Sequence, residues 1–342
     1  MSPRDQQNAR ARATRDDVAR LAGVSSAVVS YVVNETKHVS PATEARVREA
    51  IEMLGYQPNP AARALRLGST EAIGLVLPSL ANPLFAGLAE EVEREATRHG
   101  LDVLIATTDI TGDDGLSHIR HFARRRVDGV LLCTPMSDAA LAPLRQAGVP
   151  IVFLNASMVH GIDAIGVDLE AGARVAVGHL ADHGHRRIGL VIGTYRDGTR
   201  DAREDGWRAA LDERGLEAGP VLRVDFGMAA GYRAGHEFAD MTDRPPAVFI
   251  SADQQAIGFL RALAERGVRA PEDIAVASFD GSPLGRYTWP SLTSVSQPIQ
   301  EMARAAVKAI VHHDEHTAYT GFAPTLVTRE SCGCEVESEL PS

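Results

Sequence analysis

DDVARLAGVSSAVVSYVVNE, residues 16–35, sets two short apolar-spaced segments on either side of Gly23-Val24. Thr14 is placed to cap a first helix carrying Val18, Leu21 and Ala22, and Ser25 to cap a second. On a 3.6-residue repeat Val29, Val32 and Val33 fall on one side of the second helix, where they are expected to pack on Val18 and Leu21. Ser26, Ala27, Ser30 and Tyr31 fall on the other side. That free face is small and polar and ends in one aromatic hydroxyl. Small side chains let a helix backbone settle into a major groove, where hydroxyls reach phosphates or base edges and an alanine methyl can meet a thymine methyl. A plain helical hairpin fits the same spacing, so both readings stand at this level. Ser40-Pro41 opens a third helix through Val47, Ile51 and Leu54, and Gly55 ends it.

Charge is unevenly divided. Residues 1–68 hold ten Lys/Arg against seven Asp/Glu, while the rest holds 25 against 38 in a chain of formal net charge −10. A basic head on an acidic body is the asymmetry expected if only the head meets a polyanion. Cys133, Cys332 and Cys334 are odd in number and lack CxxC spacing, which points to reduced thiols with no disulfide framework and no metal site. His183 and His185 are expected to satisfy backbone groups. HHDEH (312–316) puts His312 and His316 one turn apart and is expected to be the wet end of a helix. The N-terminus carries no apolar leader, and Pro78, Ser79, Asn82 and Pro83 interrupt the longest uncharged run, so a cytoplasmic chain with no membrane partner is expected.

After the connector NPAARALRLGST (59–70), apolar runs at 72–78, 102–108, 128–134, 150–156, 187–193, 221–226, 247–253 and 274–280 alternate with segments of helical length. Near-continuous Val/Ile/Leu strands joined by helices imply parallel sheets covered on both faces, and more than one core. GxGxxG, GxxxxGK[ST], GxSxG and HExxH do not occur, so neither an enzyme nor a cofactor is expected. An exported sugar-binding protein, the other use of such lobes, would leave the basic head unexplained.

TRDDVARLAGVSSAVVSYVVNETKHVSPATEARVREAIEMLGYQPNPAARALR (14–66) closely resembles the DNA-binding head of the lactose-repressor/galactose-repressor (LacI/GalR) family of transcription regulators. The pattern matched is T-x-x-D-V-A-x-x-A-G-V-S-x-x-T-V-S-R-V-L-N, then V-S-x-x-T-R-x-x-V, then L-G-Y-x-P-N-x-x-A-R-x-L. The resemblance continues to about Gly333. It implies a small all-α helix-turn-helix head plus an α/β periplasmic-binding-protein-like core of two parallel-sheet lobes. The expected organisation is a disordered 1–13, a head at 14–58 and a hinge helix at 59–69. A first lobe follows at 70–166 with 298–325, then a second at 167–297 with 326–334, and an acidic end at 335–342. The resemblance also implies a homodimeric repressor on a double-stranded operator, with a small effector such as a sugar held between the lobes.

Residue by residue, it assigns base reading to Ser26, Ala27 and Tyr31, and phosphate contacts to Ser25, Ser30, Asn34 and His38. Val28 stands where the pattern has Thr, and Tyr31 where it has Arg; a phenol cannot pair bidentately with guanine. The hinge positions are Asn59, Ala62, Arg63, Leu65 and Arg66, with Leu65 as a minor-groove wedge beside two phosphate-neutralising arginines. The effector set is Arg203, Asp280 and Phe226, with Asp253 nearby and Ser79, Leu84, Phe85 and Asn155 from the first lobe. Arg and Asp suit vicinal hydroxyls, and an aromatic face suits a ring. Ala252 in place of an expected Asn, and Gly281 in place of a second Asp, leave a nucleoside as well as a sugar open. Leu65→Ala is expected to weaken specific DNA binding far more than non-specific binding; titrations at matched salt measure both, and equal losses would rule out a wedge.

Overall fold

The structure, a computed structural model, describes residues 13–57, 68–108, 115–156, 162–195, 200–313 and 319–335. The expected disordered start, the hinge residues Asn59, Ala62, Arg63, Leu65 and Arg66, His316 and most of the acidic end lie outside the described residues. The chain forms two units, Met1–Thr70 and Glu71–Ser342.

In the first unit α1 (Arg15–Ala22), α2 (Ser26–Asn34) and α3 (Pro41–Leu54) enclose a small core. Thr14 and Asp17 close a capping box on α1, and Gly23 ends it at φ 64°, a left-handed turn that favours glycine. Ser25 and Ser40 cap the next two helices through the backbone N–H groups of Val28 and Thr43. Val18, Val29 and Val47 are fully buried, with Ala19, Ala22, Val32 and Ala50 around them. Leu21 departs from expectation: half of it is exposed. At about 100° per residue the buried arc of α1 runs from Val18 through Ala22 to Ala19, and Leu21 lies outside it. Small alanines on that arc let α1 approach its neighbours closely.

The second unit holds two sheets. Strands β1 (Ala72–Leu77), β2 (Asp102–Thr107), β3 (Gly129–Leu132), β4 (Ile151–Leu154) and β5 (Asp163–Val167) lie in the first. Strands β6 (Arg187–Gly193), β7 (Glu217–Val224), β8 (Ala247–Ile250), β9 (Ala275–Asp280) and β10 (Thr293–Ser296) lie in the second. The chain then returns to the first sheet with β11 (Tyr319–Phe322) and to the second with β12 (Thr325–Val327). The strand orders are β11-β5-β4-β3-β1-β2 and β12-β10-β9-β8-β6-β7, parallel throughout except for β12 on β10.

Helices cover both faces of each sheet. In the first lobe α4 (Pro83–Arg98) shares a core of Leu75, Leu88, Met302 and Ile310 with α11 (Ile299–Val311). On the opposite face α5 (Leu116–Arg125) and α6 (Asp138–Gln146) bring Phe122 and Leu144 onto Val76, Val130 and Phe153. In the second lobe α7 (Leu169–Asp182) and α8 (Ala202–Arg214) seat Leu180 and Trp207 on Leu190, Phe249 and Phe279. Its other face holds α9 (Met228–Ala239) and α10 (Asp253–Glu265), with Phe238 and Phe259 against Val191 and Ile250. Each lobe is therefore a three-layer sandwich with its switch point beside its first strand, between β1 and β3 and between β6 and β8.

The α9–α10 contact is the closest of these. A Cβ on Gly231 would lie 2.0 Å from the Gln255 carbonyl oxygen, and one on Gly258 2.0 Å from that of Met228. Helix propensity alone favours Ala over Gly by about 1 kcal/mol. The clash is with backbone, however, and overpacking costs about 1–3 kcal/mol. Gly231→Ala is accordingly expected to destabilise, by about 1–2 kcal/mol net, in denaturant melts; a gain in stability would show that the helices separate freely.

Candidate functional site

In the head, the free face of α2 is built as a set of braced polar groups. Ser25 is committed as a cap. Ser26 Oγ donates to Asp16, which fixes the start of α2 against α1. Asn34 Nδ2 donates to Ser30 O (2.7 Å) and Ser30 Oγ (3.2 Å), so two expected phosphate contacts are held as one unit. Ala27 and His38 are exposed. Sequence reasoning missed Lys37, whose ammonium lies 4.9 Å from the centre of the Tyr31 ring. The pair restores a positive charge next to the position where the family pattern has arginine, and the dipeptide TK after the helix was the only signal for it.

In the body, polar side chains gather where the parallel strands of the second sheet end. Arg203, in the first turn of α8, is buried. Its Nε and Nη2 donate to the two oxygens of Asp201 at 2.9 and 2.6 Å, and its Nη1 donates to Ser251 O at 2.5 Å. The guanidinium carbon lies 5.7 Å from the ring centre of Phe226 and 5.4 Å from that of Phe279. Tyr195 joins this group, its ring centre 5.4 Å from that of Phe226 and its hydroxyl against Asp201 and Arg203. A Cβ at residue 193 would lie 2.2 Å from the Phe226 ring, so Gly193 is what admits the aromatic here. Burial works against a charge on Asp201, yet the charge and hydrogen bonds of Arg203 outweigh it and hold the carboxyl below its usual range.

Asp280 closes β9 with φ at 123°, a conformation a side chain rarely adopts. Its Oδ1 accepts from Gln297 Nε2 at 3.1 Å. Gln297 is itself buried, and its Oε1 has no hydrogen-bond partner among the described residues. Asp253 is placed differently from the expected ligand contact. Its Oδ1 accepts from Ser278 Oγ (2.5 Å) and Ser294 Oγ (2.6 Å), and its Oδ2 from Ser282 N (2.5 Å), so it braces the sheet with both oxygens engaged. Burial pushes Asp253 up to about 6, and its three donors keep it the more acidic of the two carboxyls. Burial and the neighbouring Asp253 then push Asp280 up to about 8, against the pull of Arg203.

The first-lobe set is split. Ser79 and Asn155 are half-buried just past the ends of β1 and β4, Ser79 Oγ accepting from Ala81 N at 3.1 Å and Asn155 in the left-handed region at φ 59°. Leu84, in contrast, is buried, and Phe85 leans on its own lobe's core. Of the residues sequence reasoning did not name, Asp201, Tyr195 and Gln297 are integral to the site. Asp201 could have been found as the cap two residues before Arg203; Gln297 carried no pattern.

Residues 14–59 match the family described as "Bacterial regulatory proteins, lacI family", and residues 177–332 the "Periplasmic binding protein-like domain". Over 329 residues the chain is 33% identical to the HTH-type transcriptional repressor PurR of Aliivibrio salmonicida (strain LFI1238), covering 93% of this chain and 98% of that protein. The lac repressor dimer bound to operator and the anti-inducer ONPF superposes with a TM-score of 0.84 at 27% identity, covering 94% of this chain and 99% of that one. The transcriptional regulator CelR–cellobiose complex is 32% identical with a TM-score of 0.67, covering 94% and 100%. Fold and site together define a DNA-binding transcriptional regulator whose body senses a small molecule. The chain belongs to the lacI family of bacterial regulatory proteins. The named relatives are regulators of transcription rather than enzymes.

A folded Asp280 that keeps its proton up to about 8, against 3.8 ordinarily, makes the native state bind more protons than the unfolded chain between those values. Stability from this residue therefore falls as pH rises through that window. Asp280→Asn is expected to flatten the fall and to raise Tm at pH 8 by about 2–4 °C, the shift that about 1 kcal/mol produces in a domain of this size. Melting curves from pH 5 to pH 9 test it; parallel curves for the two proteins would place the charge elsewhere.

Proposed function

We propose that the chain is a cytoplasmic homodimeric repressor, not an enzyme. Each copy lays α2 in the major groove of one half-site of a two-fold-related operator, with Tyr31 and Lys37 at the base-reading end. The dimer changes its hold on DNA when a small polyhydroxylated metabolite, a sugar or a close relative, seats against Arg203, Asp280 and Phe226. The observation that carries the effector half is the unmatched Oε1 of buried Gln297 beside the proton-bearing Asp280. A buried acceptor without a donor costs about 1–3 kcal/mol. A ligand hydroxyl donating there would remove that cost, and a second could accept from the guanidinium of Arg203. The Phe226 ring offers the apolar face of a sugar a stacking surface. The cellobiose-bound relative supports this ligand class.

Linkage makes the coupling between effector and operator reciprocal. The covalent route is short: in sequence, residues 58–67 are followed within a few positions by β1, and the other end of β1 leads to Ser79, which we assign to the effector set. A thermal-shift screen of sugars and nucleosides, paired with mobility shifts on promoter fragments at low ionic strength, tests the reading. A sugar is expected to raise Tm for the native chain and not for Asp280→Asn, while both proteins still bind DNA. Failure to bind any genomic promoter fragment, with or without the screened compounds, would overturn it. Tyr31→Ala is expected to change base preference at one position of each half-site in selections from random DNA.

A further inference from the structure

The end of α7 carries His179 in its last turn and His183 as its cap, and the closing segment of the second lobe brings Cys332 and Cys334 beside them. His179 Nε2 lies 3.2 Å from Cys332 Sγ and 3.6 Å from Cys334 Sγ, and His183 Nε2 lies 3.4 Å from Cys334 Sγ. The four ligand atoms all fall within 4.8 Å of one another. The two imidazoles stand 4.6 Å apart at 67°, with a nitrogen of each next to sulfur. A tetrahedral zinc ion, with Zn–S near 2.3 Å and Zn–N near 2.0–2.1 Å, separates its nitrogen and sulfur ligands by about 3.6 Å. The three observed separations bracket that edge to within a few tenths of an ångström.

We propose that His179, His183, Cys332 and Cys334 form a closed four-ligand site for a zinc-class divalent cation, which clamps the end of the second lobe onto α7. The donor set suits a borderline-soft ion: two imidazoles and two thiolates. Binding releases the two thiol protons, so the dication and two thiolates leave the cluster with no net charge, and no oxidant or reductant is involved. Cys332 is buried, with Thr293 Oγ1 3.0 Å from its sulfur as an outer partner to the thiolate. Gly333, at φ 93°, turns the chain between the two cysteines. The clamp has something to hold, because β12 is a three-residue edge strand that joins the sheet through β10 alone. This revises the expectation of isolated thiols. The Cys-Gly-Cys spacing was unsuited to zinc by itself, and its partner histidines stand about 150 positions away in the sequence.

The full chain, loaded with zinc, desalted and kept reduced, is expected to hold one zinc per chain, and its cobalt(II) form to show thiolate-to-cobalt charge transfer with the intense visible bands of a tetrahedral ion. Chelation is expected to lower Tm reversibly. Cys334→Ser and His183→Ala, both at accessible positions, are expected to weaken zinc binding by at least about 100-fold with the circular dichroism unchanged. Substoichiometric zinc in the native chain, a cobalt spectrum without charge transfer, unaltered occupancy in both variants, or a Cys332–Cys334 disulfide in the reduced preparation would each overturn the site.

Discussion

The guanidinium of Arg203 is the charge around which the second lobe is organised. A cation buried between two aromatic rings costs several kcal/mol unless it is paired and hydrogen-bonded. Asp201 supplies the pairing and the Ser251 carbonyl the remaining bond. Ser251 is itself a node: its hydroxyl accepts from Gly193 N and donates to Gln255, which in turn donates to the carbonyl of Asp225. One network therefore fixes the ends of β6 and β8, the start of α10 and the loop after β7. Moving the arginine would disturb all four, so it serves as a fixed reference for a ligand rather than a mobile arm.

Asp280 and Asp253 show how two carboxyls of similar sequence surroundings take different parts. Asp253 has three donors on its oxygens and acts as a brace; Asp280 has the Gln297 amide, the backbone of Asp253 and a strained backbone of its own. Strain and an unmatched buried acceptor at the same point are stabilisation forgone, and both lie where a ligand would restore hydrogen bonds.

Much of this was legible in the sequence. The buried strands β1, β3, β6 and β9 are predominantly Val, Ile, Leu, Ala and Phe, interrupted mainly by glycines, and the caps of the head are written in Thr14, Ser25 and Ser40. The short β5, β10, β11 and β12 were missed because Asp, Gly, Ser or Thr within their three to five residues leaves no continuous apolar run, and β11 is an exposed edge whose pattern resembles a loop. Leu21 misled because helical spacing names a face without saying which arc of it meets a neighbour. At the site, Arg203, Phe226 and Asp280 followed from the family resemblance. What could not be read was whether a polar group is free: Asp253 and Ser26 looked available and are engaged by Ser278, Ser294, Ser282 and Asp16, partners from other elements. The neighbours of the two cysteines were hidden for a related reason, since they arrive from a distant helix.

The polypeptide passes between the two sheets three times, after Val167, after Ser296 and between Phe322 and Thr325. A single strap would let one lobe swivel freely on the other, whereas three side by side act like the leaves of a door hinge. They resist torsion and shear and leave bending about one axis as the soft mode. Any message sent from one lobe to the other is in consequence nearly one-dimensional, an angle opening or closing, and substitutions that stiffen any one strap should quiet it.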